Sequence, residues 1–174
     1  GGGPIENSGE MTFNGGKIVA YAYGPYEGNY GAGTGIGGGH AGGGTVITFN
    51  GGKIDAKGGL HGAGVGGGCT YVGGMSNNTT YAFPDAILCR TPSSTIAGDI
   101  NINGGFLEAE GFEHGNAFGQ GCGGTNTGKT ITITGGTLLP VSKSGWYDIG
   151  GTGGDVVVTG GSIRLSAEGK FQCA

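Results

Sequence analysis

The residues with the clearest chemical potential in this sequence are three carboxylates, Asp55, Glu108 and Glu110. Asp55 follows Gly51-Gly52 at the same distance as Glu108 follows Gly104-Gly105. If those segments stack, the two carboxylates are neighbours, with Glu110 beside Lys57. Carboxylates about 5 Å apart push one pKa upward and can serve as acid and nucleophile in glycoside cleavage. If an unseen strand intervenes, they lie about 9.6 Å apart, a spacing that suits inversion rather than retention. The same oxygens could also ligate Ca²⁺. The sequence favours a plainer outcome, a solvated face carrying a Lys57–Glu110 pair.

His61 and His114 also hold equivalent positions, with Tyr30 in the segment before them and His40 in a glycine-rich stretch elsewhere. Stacked imidazoles could bind a metal or move a proton, but no third ligand is evident, so a structural role is expected. Aromatic residues point more clearly to a ligand. Tyr21, Tyr23, Tyr26 and Tyr30 crowd one region and Trp146-Tyr147 another. Their flat apolar faces and polar edges suit sugar rings, and equally suit capping the ends of a repeat array. No nucleophile elbow is present. The run from Gly31 to Gly37 superficially resembles a dinucleotide loop but lacks the helix and acidic partner.

These residues sit within a repeat. Five segments share one pattern: Met11–Ile18, Ile47–Ile54, Ile100–Leu107, Ile131–Leu138 and Val156–Ile163, each with Asn or Thr before Gly-Gly. The Asn/Thr positions are 14, 50, 103, 134 and 159, a spacing that shrinks to 25 residues and fits a coil with insertions. Side chains alternate along a strand. Phe13, Phe49, Ile102, Ile133 and Val158 therefore face inward, followed after the glycine corner by Ile18, Ile54, Leu107, Leu138 and Ile163. Ile36, Val65, Phe118 and Ile149 form a third inward stack. The expected fold is an all-β, right-handed parallel β-helix (β-solenoid) of about five rungs, one domain over 1–174. Polyglycine helices are the rival for 31–44 and 62–68. Outward ranks of Thr12, Thr48, Asn101 and Thr132, and of Asn14, Asn50, Asn103, Thr134 and Thr159, resemble a flat ice-binding surface but also serve the corners.

Residues 69–98 carry no repeat unit and are expected to leave the coil as a disulfide-clipped loop. The four cysteines, Cys69, Cys89, Cys122 and Cys173, match no zinc spacing. Their even count suits two disulfides in an oxidising compartment, of whose three pairings Cys69–Cys89 as a local clip with Cys122–Cys173 is favoured; four buried free thiols are the alternative. Asn77-Asn78-Thr79-Thr80 holds two overlapping N-glycosylation sequons.

Glycine fills 48 of 174 positions without a G-X-Y period, which excludes collagen. Net charge is −4 with 8 Lys+Arg and no basic cluster, so nucleic acid is not an expected partner. No apolar run is long enough to suggest a membrane-spanning helix. The sequence opens on Gly1, as expected of a mature or excised region.

The Ile-Thr-x-Asn-Gly-Gly-x-Ile units, followed by Gly-Ala-Gly-x-Gly-Gly-Gly, resemble the glycine-rich β-helical repeats of bacterial cell-surface and secreted proteins. That resemblance implies architecture and the company of adhesins and carbohydrate-binding regions; it supplies no catalytic residue. The expected function is an extracellular, non-catalytic binding or adhesion module for a polysaccharide or glycan. Its alternatives are a glycoside hydrolase or polysaccharide lyase using Asp55, Glu108 and Glu110, or a structural solenoid that self-associates end to end or binds ice.

Overall fold

The computed structural model describes residues 7–22, 33–40, 42–69, 96–112, 114–143, 147–166 and 170. The chain runs in repeated circuits. The first holds β1 (Met11–Phe13), β2 (Lys17–Tyr21) and β3 (Ile36–Gly37); the second holds β4 (Ile47–Phe49), β5 (Lys53–Leu60) and β6 (Val65–Gly66). Next come β7 (Ile100–Ile102), β8 (Phe106–Phe112) and β9 (Phe118–Gly119), then β10 (Thr130–Ile133), β11 (Thr137–Ser142) and β12 (Ile149–Gly150). The last described strands are β13 (Asp155–Val158) and β14 (Ser162–Ile163). Corresponding strands stack into three sheets, β1-β4-β7-β10-β13, β2-β5-β8-β11-β14 and β3-β6-β9-β12. Every pairing is parallel. The described residues form no helix, and the glycine-rich stretches around Ile36 and Val65 hold strands rather than polyglycine helices. This arrangement fits a β-solenoid.

Period-two patterning explains the core. Phe49, Ile102 and Ile133 are fully buried in the first sheet, Ile54, Leu107 and Leu138 in the second, and Val65, Phe118 and Ile149 in the third. Ile47, Ile100 and Ile131 add a second inward row to the first sheet. Phe13 stacks on Phe49 with ring centroids 5.0 Å apart and planes 11° from parallel. Each circuit buries its apolar edge only against its neighbours. Burial accordingly fades at the last described strands, where Val158 is 50% exposed although its register partner Ile133 is buried.

Two columns of glycine set the corners. The second glycine of each Asn/Thr-Gly-Gly unit has positive φ: Gly16 85°, Gly52 99°, Gly105 97°, Gly136 88° and Gly161 91°. Such angles are strained for any residue with a Cβ. The preceding side chains form a hydrogen-bonded ladder up the corner. Asn50 Nδ2 donates to Asn14 Oδ1 at 2.8 Å, Asn103 Nδ2 to Asn50 Oδ1 at 2.8 Å, and Thr134 Oγ1 to Asn103 Oδ1 at 3.0 Å. In the third sheet a Cβ on Gly66 would lie 1.9 Å from the Gly119 carbonyl oxygen. Backbones pass so closely there that only glycine fits.

Most of the expected loop at 69–98 lies outside the described residues, as do Asn77 and Asn78. Its described end belongs to the wall of the coil. Ile96 bridges Thr125 in parallel, its carbonyl accepts from Gly44 N–H at 2.9 Å, and Ala97 is fully buried.

Candidate functional site

The outward face of the second sheet gathers most of the described charge and exposed aromatic surface. Its strands alternate, so the residues between the buried Ile54, Leu107 and Leu138 face solvent. Three outward columns result. Lys17, Lys53, Phe106, Thr137 and Ser162 form the first, and Val19, Asp55, Glu108 and Leu139 the second. Tyr21, Lys57, Glu110 and Val141 form the third.

Asp55 pairs directly with Glu108, and Lys57 with Glu110. No strand is interposed between them, so the wider spacing that suits inversion does not arise. The Tyr21 hydroxyl donates to the Asp55 carboxylate. Glu110 is held between two lysines, Lys57 at 3.8 Å and Lys143 at 2.5 Å. Glu108 alone of the three acids has no hydrogen bond or ion pair among the described residues. Two of the three carboxylates are thus already engaged.

Lysines also lie over the rings of this face. Lys57 sits 4.9 Å from the Tyr21 centroid, Lys143 4.9 Å from Phe112, and Lys53 5.4 Å from Phe106. Exposed contacts of this kind contribute only about 0.5–1 kcal/mol each, so a ligand can displace them at small cost. Tyr21 remains 42% exposed and Phe112 37%. They stand two strands apart, about 10 Å across the sheet, with Asp55 and Lys57 of β5 between them. Phe112 departs from the strict register: β5 and β8 shift between Lys57 and Leu60, and Phe112 pairs with Leu60. Phe106, Phe112 and Lys143 were not among the expected ligand residues. Phe112 lies two positions beyond Glu110, so strand alternation alone would have placed it on this face.

Tyr147 lies elsewhere, half-buried just before β12, with its N–H donating to Asn116 Oδ1 at 3.3 Å. Tyr21 and Tyr147 therefore belong to different sheets and do not form one patch. Tyr23, Tyr26, Tyr30 and Trp146 lie outside the described residues.

His61 and His114 stack as their spacing implies, with centroids 5.0 Å apart and planes 8° from parallel. His61 holds a φ of 63° at the turn. Burial lowers the His40 pKa below its ordinary 6.5. Among the described residues no group of three or more His, Cys, Asp or Glu could hold a metal ion.

Each expected disulfide pair, Cys69–Cys89 and Cys122–Cys173, includes one cysteine outside the described residues. No disulfide joins described residues. Cys69 and Cys122 hydrogen-bond to each other through their side chains. Cys69 and Cys122 share the offset of 53 residues that separates Asn50 from Asn103.

The interior also carries polar groups that the sequence did not flag. Asp148 is fully buried and accepts from Ser142 N–H at 2.8 Å, Ser166 N–H at 2.8 Å and Ser166 Oγ at 3.2 Å. Buried Asn116 donates to the Gly150 carbonyl at 2.7 Å, and Gln120 Oε1 accepts from Thr152 N–H at 3.0 Å. All are backbone-fastening contacts around the third sheet.

Comparison of the chain with protein-family models, with curated proteins and with solved structures finds no match.

Proposed function

We propose that this chain is an extracellular, non-catalytic binding or adhesion module whose ligand is a polysaccharide or glycan. The ligand lies across the outer face of β2, β5, β8 and β11, on a right-handed coil of five rungs. One observation carries this reading: two exposed rings, Tyr21 and Phe112, share one sheet face with Asp55, Lys57, Glu108 and Glu110, and Lys143 reaches Glu110 and Phe112 from beyond β11. Rings stack on the apolar faces of sugars while carboxylates and ammonium groups take their hydroxyls. The resemblance to bacterial surface repeats agrees with this reading.

A glycan array followed by titration of the best ligand tests it. Tyr21→Ala and Phe112→Ala should each weaken binding by about tenfold, and Tyr147→Ala should leave it unchanged. Equal affinity of all three variants and wild type would reject this face as the site. A parallel reducing-sugar assay separates the enzymatic alternative: turnover by wild type that Glu108→Gln abolishes would replace binding with hydrolysis.

A further inference from the structure

The offset of 53 residues that pairs Asp55 with Glu108 and Val65 with Phe118 also separates Cys69 from Cys122. Gly66 pairs with Gly119, and three residues onward along both segments lie the two cysteines. The backbones stay side by side over that distance. A Cβ on Gly121 would lie 2.7 Å from the Gly68 carbonyl carbon and 2.8 Å from the Cys69 nitrogen. Cys122 N–H donates to the His61 carbonyl at 2.9 Å, which fixes its backbone. The two side chains meet in a thiol–thiol hydrogen bond. Cys69 is fully buried and Cys122 half-buried. Neighbouring strands lie about 4.8 Å apart, within the Cα separations of roughly 4.4–6.8 Å that disulfides span.

We propose that Cys69 and Cys122 are a redox pair, closing a disulfide between neighbouring circuits by exchange with a low-molecular-weight disulfide. The half-buried thiol acts first. Cys122 loses its proton and its thiolate attacks one sulfur of the small disulfide, forming a mixed disulfide and expelling one thiolate. Cys69 then loses its proton and attacks Cys122 Sγ, forming the intrachain bond and expelling the second thiolate. In sum, two protein thiols are oxidised to one disulfide and the small disulfide is reduced to two thiols. The hydrogen bond with Cys69 lowers the Cys122 pKa, against the upward pull of burial, which favours Cys122 as the attacking sulfur. The bond would fasten the second circuit to the third covalently, beside the strand ladder, the Asn50–Asn103 hydrogen bond and the His61–His114 stack.

The test equilibrates the protein in glutathione buffers from reducing to oxidising, then quenches it with acid and an alkylating agent. Trypsin with chymotrypsin, which cuts after Tyr71, Tyr81 or Phe83, separates Cys69 from Cys89. The expected result is a Cys69–Cys122 linked peptide in wild type. In the Cys89→Ser, Cys173→Ser double variant, oxidation should remove both alkylatable thiols and raise Tm by roughly 10 °C, reversibly with dithiothreitol. A Cys69–Cys89 linked peptide in wild type would overturn the proposal. So would two alkylatable thiols surviving the most oxidising buffer in the double variant. If the double variant does not fold, the wild-type peptide map decides alone.

Discussion

Asp148 places a carboxylate where no water reaches it, and its surroundings explain how the fold tolerates this. Its oxygens receive two backbone N–H groups and a hydroxyl, from Ser142 and Ser166, so one side chain joins the end of β11 to the segment after β14. Removing the acceptor leaves buried donors unsatisfied, at about 1–3 kcal/mol for each. Asp148→Ala should therefore destabilise the protein by about 3 kcal/mol or more. Asp148→Asn keeps an oxygen of the same shape and should cost about half as much. Urea unfolding measures both, and equal midpoints for the two variants would show that the hydrogen bonds are not what holds this segment. At this scale the sequence was only partly legible. The adjacency of Asp55 and Glu108 and the stacking of His61 on His114 followed from alignment, because equal offsets from a shared corner place residues in one column. The role of Asp148 did not follow, because its partners Ser142 and Ser166 carry no motif and come together only when two loops close. The Cys69–Cys122 contact is legible in the same way as the Asp55–Glu108 adjacency, as the 53-residue offset shared with Asn50 and Asn103.

The strands and corners were far more legible than the side-chain contacts. Alternation of β-branched and polar residues sets which side faces inward, and the Asn/Thr-Gly-Gly unit marks each turn. Those two local signals suffice for the stacks of Phe49, Ile102 and Ile133, of Ile54, Leu107 and Leu138, and of Val65, Phe118 and Ile149. They fail where pairing is irregular. The shift before Leu60 that moves Phe112, and the Ile96–Thr125 bridge at the end of the insertion, have no repeat to announce them. The glycines also differ among themselves in a way composition does not reveal. Gly15 has nothing within 4 Å of a prospective Cβ, whereas Gly66 has a φ of 132° and a carbonyl oxygen at 1.9 Å. Gly15→Ala should therefore leave stability unchanged within about 0.5 kcal/mol. Gly66→Ala combines a strained φ with a backbone clash and should cost about 3 kcal/mol. Thermal melts of the two variants check this, and similar melting temperatures would mean the third sheet can open to admit a methyl group.

At the scale of the whole molecule, a coil with contacts only between neighbouring circuits has a stability gradient built into it. Among the described strands β4, β7 and β10 hydrogen-bond on both sides, while β1 and β13 have one described partner each. The second sheet repeats the pattern, with β5, β8 and β11 inside and β2 and β14 at the edges. Burial follows the same order. Ile47, Phe49, Ile100 and Ile102 are fully buried, whereas Val157 is 44% and Val158 50% exposed. In a nearest-neighbour system each interior circuit gains two interfaces and each terminal circuit gains one, so the terminal circuits open first. Native-state hydrogen exchange should therefore be slowest at Ile54, Leu107 and Ile131, whose amides would exchange only when the whole coil opens. The amides of Val157 and Val158 should exchange orders of magnitude faster, through fraying of β13 and β14. Oxidation of Cys69 and Cys122 should not change the protection of β13, because the bond lies between the second and third circuits. Equal exchange free energies from β4 to β13 would instead mean that the coil opens as one unit. The interfaces would then be too strongly coupled for its ends to fray, and the exposed Val158 would have to be stabilised by something other than its single neighbour.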